Sequence, residues 1–157
     1  MLACTALAMA PALAAAQAAA RDLYKGKVRE GLYEVTHETD LSGVPGIPRD
    51  KQKSTETRQR CYYKEGLERG VEAGKDCEVR SYKAEGPTTN VTMTCKDGSS
   101  TAMKLTFASG SFTTETRTSG TDEGKPFTSV FRQHARYLGP CPYKAPPAPQ
   151  PAPPPKS

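Results

Sequence analysis

The chain has 157 residues and a formal net charge of +5. Its basic residues are scattered among acidic ones rather than clustered, which argues against a nucleic-acid-binding surface and leaves weak attraction to anionic envelope polymers. The sequence contains no P-loop, no dinucleotide-binding glycine pattern and no G-x-S-x-G motif. The common signatures of nucleotide-binding proteins and serine hydrolases are therefore excluded.

Residues 1–20 have the composition of a signal peptide. They contain eleven alanines and no charged side chain, and the apolar run ends at Arg21. Residues 14–16 (AAA) and 16–18 (AQA) each fit the small-residue site that signal peptidase cleaves. We expect cleavage rather than a membrane anchor, because alanine contributes little to membrane insertion. The mature protein is then periplasmic or secreted and has no transmembrane span.

No basic residue precedes the apolar run, although signal peptides normally begin with one. A start codon upstream of Met1 would explain this, and Leu2-Ala3-Cys4 would then end a lipoprotein cleavage box with lipid on Cys4. The long alanine-rich stretch after Cys4 is more typical of a signal core than of a tether. Lipid anchoring through Cys4 is therefore the minor alternative.

Residues 145–157 (APPAPQPAPPPKS) form a proline-rich tail. Nine of the 14 prolines lie after Leu138, and the tail has no large apolar residue. This composition favours a solvated polyproline II chain. We interpret the tail as a disordered spacer, and the alternative is a ligand for a partner with an aromatic groove. Residues 21–144 remain as a single β domain, a size that benefits from cross-links.

Four cysteines remain after residue 20, and an even number in a small exported domain favours disulfides. Folding a hairpin about Gly86 places Cys77 opposite Cys95, at a separation that a disulfide spans. Cys61 and Cys141 then pair by elimination, and closing so long a loop stabilises by roughly 4 kcal/mol. The four cysteines contain no C-x-x-C pair, so a zinc site is disfavoured.

The same hairpin predicts which side chains share a face, because side chains alternate along a strand. Val79 should face Met93 on the side of the cysteines. The other face is expected to carry Arg80, Tyr82, Thr92 and Thr94.

Alternation and turn residues predict the other elements. Residues 31–38 read as a first strand, 40–50 as a Gly/Pro loop and 54–62 as an exposed strand. A spacing of four predicts a short helix through Tyr63, Leu67 and Val71. Later in the chain, Met103, Leu105 and Phe107 are predicted to form one face of a strand. A Ser109-Gly110 turn then sets Phe107 opposite Phe112. A last strand is predicted over 125–138.

Short strands joined by short turns in sequential order describe an antiparallel meander. We therefore predict an all-β domain of about seven strands, forming a strongly curved sheet or an open barrel, with one short helix.

Six features in a fixed order resemble a known family. They are residues 31–35 (GLYEV), 44–48 (VPGIP), Cys61, 76–77 (DC), 94–95 (TC) and 136–141 (RYLGPC). The chain resembles, over about residues 31–141, the proteobacterial family called domain of unknown function 3617. The resemblance implies a secreted or periplasmic protein of a Gram-negative bacterium, and it implies no reaction, ligand or catalytic residue. The family usually has Trp where this chain has Tyr33, so we expect smaller or wetter surroundings for that ring.

His37 and His134 are the two side chains whose ordinary pKa lies near neutrality. Two histidines alone make a poor metal site, so we expect no metal, no cofactor and no catalytic residue. Glu34 and Glu38 share a strand face but lie roughly 13 Å apart. Hydrolysis of a glycosidic bond needs carboxyl groups about 5 to 9.5 Å apart, so this pair is unsuitable.

Aromatic residues are the remaining lead. Tyr33, Phe107, Phe112, Phe127 and Phe131 would line a ligand cavity if the sheet curls, although core packing is the more common use of such side chains. We predict a non-enzymatic protein that binds an envelope protein or a small apolar ligand. The alternatives are a periplasmic hydrolase or metal-dependent enzyme that uses His37 and His134, and a structural envelope protein that contacts partners through its tail.

Overall fold

The computed structural model describes residues 23–24, 26–68 and 76–142. The predicted signal peptide, Cys4, Val71 and the proline-rich tail lie outside them. The strands are β1 (Gly31–Gly43), β2 (Lys53–Tyr62), β3 (Cys77–Glu85), β4 (Thr88–Cys95), β5 (Ser100–Ala108), β6 (Ser111–Asp122) and β7 (Lys125–Gly139). A 3-10 turn (Arg49–Lys51) and a helix α1 (Lys64–Glu68) complete the elements of these segments. In the same segments, no helix has the length and apolar character needed to cross a membrane.

All seven strands form one antiparallel sheet in the order β2-β1-β7-β6-β5-β4-β3. The all-β prediction is confirmed, and the sheet is open, with β2 and β3 at its two edges. The order departs from a simple meander at one point. In a meander β2 would pair with β3, but here these two strands lie at opposite edges and β1 pairs with β7. The first and last strands therefore lie side by side, as the second and third strands of the sheet.

Tight turns set the registers that the sequence predicted. The Ser109-Gly110 turn joins β5 to β6 and places Phe107 opposite Phe112. Gly110 supplies the positive φ of +74° that this turn requires. Because side chains alternate along each strand, this register also fixes which residues of β5 and β6 share a face.

The β3–β4 hairpin turns at Gly86-Pro87 and pairs Val79 with Met93, as predicted. The prediction for Tyr82 is wrong, because the register shifts between Val79 and Ser81. A bulge inserts one extra residue and moves every later side chain to the other face. Tyr82 therefore pairs with Val91 and packs against the core instead of facing outward.

The core lies on one face of the sheet as two touching clusters. The first contains Leu23 with four side chains from β3, β4 and β5, and the second contains Tyr33 and Val35 with Phe112 and Ala135. Tyr24 packs against both clusters, and its ring stands 5.8 Å from that of Phe112. The segment that precedes β1 therefore covers the apolar face, and burial raises the pKa of Tyr24.

Two predicted boundaries need correction. β1 continues to Gly43, so the loop predicted over 40–50 starts later than expected. In this last part of β1, Asp40 accepts hydrogen bonds from both the backbone N–H and the hydroxyl of Ser42. These bonds hold the pKa of Asp40 at about 2. The predicted short helix begins at Lys64 rather than at Tyr63, and its Leu67 is buried, while Val71 lies outside the described residues.

Candidate functional site

The two histidines lie on adjacent strands but on opposite faces of the sheet. His134 of β7 pairs with Thr36 of β1, whereas His37 pairs with Gln133. Successive side chains of a strand point to opposite faces, so the two imidazoles cannot converge. The structure thus lacks the arrangement on which the enzyme alternative depends.

His37 lies on the core face, beyond the part that the segment before β1 covers. It lines a small cavity of about 130 Å³ together with Thr39, Thr116 and Phe131. Its Nε2 atom is buried and makes no hydrogen bond in the structure. Burial lowers the pKa of His37, and the nearby guanidinium of Arg58 lowers it further.

The two glutamates of β1 lie opposite arginines of β7. Arg136 donates a hydrogen bond to Glu34 at 2.9 Å, and Arg132 lies directly opposite Glu38. Within the described part of the chain, no group of three or more His, Cys, Asp or Glu side chains could hold a metal ion. Glu34 therefore belongs to a cross-strand ion pair, and Glu38 lies opposite an arginine on the same polar face.

The five candidate aromatics have different environments. Tyr33 and Phe112 are each 2% exposed and lie in the core, while Phe107 and Phe127 are half-buried. Phe131, 45% exposed, is the one that reaches solvent to a large extent. Whether any of the five meets a ligand stays a prediction, and the structure directs attention to Phe131.

Of the smaller or wetter surroundings expected for Tyr33, the wetter ones are not found, because the side chain is 2% exposed. Its ring lies 5.3 Å from those of Tyr62 and Tyr137 and 5.8 Å from that of Phe112. Its hydroxyl donates a hydrogen bond to the carbonyl of Arg29 at 2.9 Å. A buried Tyr needs such a partner, and this bond ties the segment before β1 to the sheet.

A polar groove of about 350 Å³ crosses four strands on the face opposite the core. Its floor includes a row of charged side chains of alternating sign, which we call the charge row: Lys104 of β5, Glu115 of β6, Arg132 of β7 and Glu38 of β1. Each of these residues lies directly opposite the next in the strand register. Arg132 Nε donates to Glu115 Oε2 at 2.8 Å.

A second row runs beside the charge row and is mostly hydroxylic. Thr106, Thr113, His134 and Thr36 are successive partners across β5, β6, β7 and β1. Thr36 also shares a hydrogen bond with Thr57 of β2 at 2.9 Å. Together the two rows present charges of both signs and hydroxyl groups that can donate or accept hydrogen bonds.

A separate cleft of about 370 Å³ lies at the end of the sheet where β1 starts and β7 ends. We call it the tyrosine cleft, and it is lined by Arg29, Glu30, Gly31, Tyr62, Tyr63, Tyr137, Pro140 and Cys141. The guanidinium of Arg29 stacks 4.7 Å from the centroid of the Tyr137 ring. The Tyr62 hydroxyl accepts a hydrogen bond from Gln133 at 3.0 Å, and burial raises its pKa.

A disulfide borders this cleft through Cys141. The structure joins Cys61 to Cys141 and Cys77 to Cys95, the same two pairs that the sequence argument favours. Cys61 precedes Tyr62, the last residue of β2, and Cys141 follows β7, so their bond joins the two strand ends beside the cleft. The family resemblance rests on six sequence features, and three of them lie at this cleft. They are the features around Gly31, Cys61 and Tyr137.

The comparison with known proteins identifies a family. The family described as "Protein of unknown function (DUF3617)" matches residues 28–141. The chain therefore belongs to this family, and the match covers the whole sheet. No curated protein and no solved structure matched the chain.

Sequence reasoning missed the charge row, although part of it was accessible. The Ser109-Gly110 turn fixes the pairing of Lys104 with Glu115. The Glu123-Gly124 turn between Asp122 and Lys125 equally fixes the pairing of Glu115 with Arg132. The contribution of Glu38 depends on the pairing of β1 with β7, for which no local signal exists.

Proposed function

We propose that this protein is an exported, non-enzymatic interaction module of the bacterial envelope. Two disulfides support an oxidising compartment outside the cytoplasm. Leu23 is buried in the core, so the folded domain includes this residue. This supports cleavage shortly before it, at one of the signal peptidase sites that end at residues 16 and 18. On this proposal the protein is periplasmic or secreted.

The observation that carries the proposal is the polar groove. It is built on four paired strands, so its side chains project from a rigid surface at fixed spacings. It presents two cations and two anions in the charge row. A partner that complements this row must carry charges of both signs, which favours a polypeptide segment over an anionic polymer.

An apolar small ligand is the less supported partner. Of the five candidate aromatics, the two most deeply buried contact other rings in the core. The cavity beside Phe131 has a volume of about 130 Å³. Drug-sized ligands occupy pockets of about 300 to 1,000 Å³, so this cavity would hold a single small group.

The test is site-specific photo-crosslinking in cells that export the protein. A photoreactive amino acid replaces Thr113 in the polar groove or, as a matched control, Thr121, which is exposed near the end of the same strand. We expect a discrete crosslinked envelope protein from position 113 and none from position 121.

The charge row provides the second arm of the test. Lys104→Glu reverses one charge of the row and should abolish the crosslink at position 113. Lys83→Glu reverses the charge of an exposed lysine on edge strand β3 and should leave the crosslink at position 113 intact. Equal crosslinking from positions 113 and 121, or insensitivity to Lys104→Glu, would overturn the proposal.

A further inference from the structure

The tyrosine cleft has the composition of a site for an extended, proline-rich chain. Tyr62, Tyr63 and Tyr137 line it, and Arg29 lies over the Tyr137 ring. Tyrosine and arginine dominate the energetics of many interfaces. Aromatic-lined grooves recognise polyproline II segments, because such segments lose little conformational entropy on binding.

The last described residues of β7's continuation, which precede the proline-rich tail, lie at this cleft. Pro140 and Cys141 line the cleft, and Cys141 is bonded to Cys61, so the exit point of the chain is fixed there. The tail begins at residue 145, four residues further on. Four extended residues span at most about 14 Å, so the first prolines reach the cleft without closing a long loop.

We propose that residues 145–157 dock into the tyrosine cleft of their own domain as a polyproline II segment. A short tether gives the tail an effective concentration in the millimolar range, which makes even a weak site largely occupied. The Cys61–Cys141 bond contributes by holding the start of the tail beside the tyrosines.

This docking is independent of the partner proposed for the polar groove. The tyrosine cleft and the polar groove share no lining residue. The groove proposal can therefore fail while tail docking holds, and the reverse is equally possible.

The test compares tyrosine ring signals by NMR in the full mature chain and in two tail variants. One variant ends at Lys144, and the other has the seven prolines of residues 146–155 replaced by serine. We expect the signals of Tyr63 and Tyr137 to shift in both variants relative to the full chain. Tyr82, on β3 at the other edge of the sheet, is the internal control and should not shift.

A synthetic peptide of residues 145–157 then tests binding directly. Added to the chain that ends at Lys144, it should move the signals of Tyr63 and Tyr137 back toward their positions in the full chain. Half-saturation is expected at or below about 1 mM, the effective concentration that a short tether supplies. The full chain should not respond, because its cleft is already occupied.

Three results would overturn the proposal. The first is identical Tyr63 and Tyr137 signals with and without the tail. The second is a peptide effect that does not saturate by about 10 mM, ten times the effective concentration of a short tether. The third is a tail-dependent shift of these signals that grows with protein concentration, because the tail would then bind a second copy of the chain. Unfolding of each variant by urea verifies that a shift does not reflect loss of the fold.

Discussion

Cys61, at the end of β2, is bonded to Cys141, which follows β7, and β1 lies between these two strands. The bond straddles Leu32 of β1, which pairs with Cys61 on one side and with Gly139 on the other. The second bond, between Cys77 and Cys95, joins edge strand β3 to β4. Each edge strand of the open sheet is therefore attached covalently to the rest of the molecule.

Removing either disulfide should destabilise the domain. Removing the disulfide that closes the longer loop should lower the free energy of unfolding more. The Cys61–Cys141 bond closes a separation of 80 residues and the Cys77–Cys95 bond one of 18. Loop-closure entropy then predicts losses of about 4 and about 3 kcal/mol for the two double serine variants. Urea unfolding of each variant, compared with the oxidised parent, measures both values.

The reduced parent serves as the control for this pair of variants. Its free energy of unfolding should fall below that of either double variant, because it lacks both cross-links. A larger loss for the Cys77/Cys95 variant than for the Cys61/Cys141 variant would contradict the loop-length argument.

The sequence predicted local pairings well, because hairpin registers depend on turns a few residues away. The opposition of Phe107 and Phe112 follows from one two-residue turn. The pairing of Glu34 with Arg136 joins residues 102 positions apart, and no local pattern selects one distant strand over another. The bulge that turns Tyr82 inward was missed for a related reason, since alternation in the sequence continues through it.

The segment before β1 was also missed, although it completes the core. Leu23 is 0% exposed and packs with Val79, Val91 and Leu105. Its neighbours in the chain carry no strand or helix pattern, so only the tertiary structure shows that it is buried. The family match starts at residue 28 and does not include it.

Leu23→Ala should therefore destabilise the domain by about 3 kcal/mol, the usual cost of truncating a buried leucine. Leu138→Ala is the matched control, because that side chain is 38% exposed and should cost less than about 1 kcal/mol. Urea unfolding of the mature chain measures both. Equal losses for the two leucines would mean that Leu23 does not belong to the core in solution.

The stability of the domain should depend on pH through His37. Its pKa in the folded protein is lowered by burial and by Arg58, whereas Glu56, its partner on β2, acts in the opposite direction. The unfolded chain then binds a proton at higher pH than the folded one. The contribution of neutral His37 to the free energy of unfolding is fully present above the ordinary histidine pKa of about 6.5. It is lost as the pH falls through the lowered pKa of the folded protein.

His37→Gln should remove this part of the pH dependence, and His134→Gln, at an exposed position on the other face, should not. The free energy of unfolding, measured in steps from pH 7.5 down to pH 4.5, compares the two variants with the parent. An NMR titration of the His37 ring provides an independent check. A ring that titrates at or above the ordinary value would refute the assignment.

The pair formed by Glu115 and Arg132 should contribute little to stability. Both side chains are almost half exposed, at 44% and 46%, so water screens their attraction. A double-mutant cycle with Glu115→Gln and Arg132→Gln is expected to give a coupling energy of about 0.2 to 1 kcal/mol. The coupling should shrink further in 0.5 M salt. A value above about 3 kcal/mol would indicate a buried network instead of an accessible binding surface.

Gly31 should not tolerate a side chain, because its position at the start of β1 is both strained and enclosed. Its φ is +149°, and a Cβ atom there would collide with the Tyr137 ring and the carbonyl oxygen of Gly139. We expect Gly31→Ala to destabilise the domain by about 3 kcal/mol, through overpacking added to backbone strain.

Gly46 separates the two causes, because its φ is +82° but a Cβ atom there would meet nothing within 4 Å. Gly46→Ala should cost about 1 kcal/mol, from backbone strain alone. Because Tyr137 must move to accept a side chain at position 31, its ring signals should also shift in Gly31→Ala and stay in place in Gly46→Ala. Equal losses of stability, with Tyr137 unmoved in both variants, would show that the start of β1 and the ring of Tyr137 are not in contact.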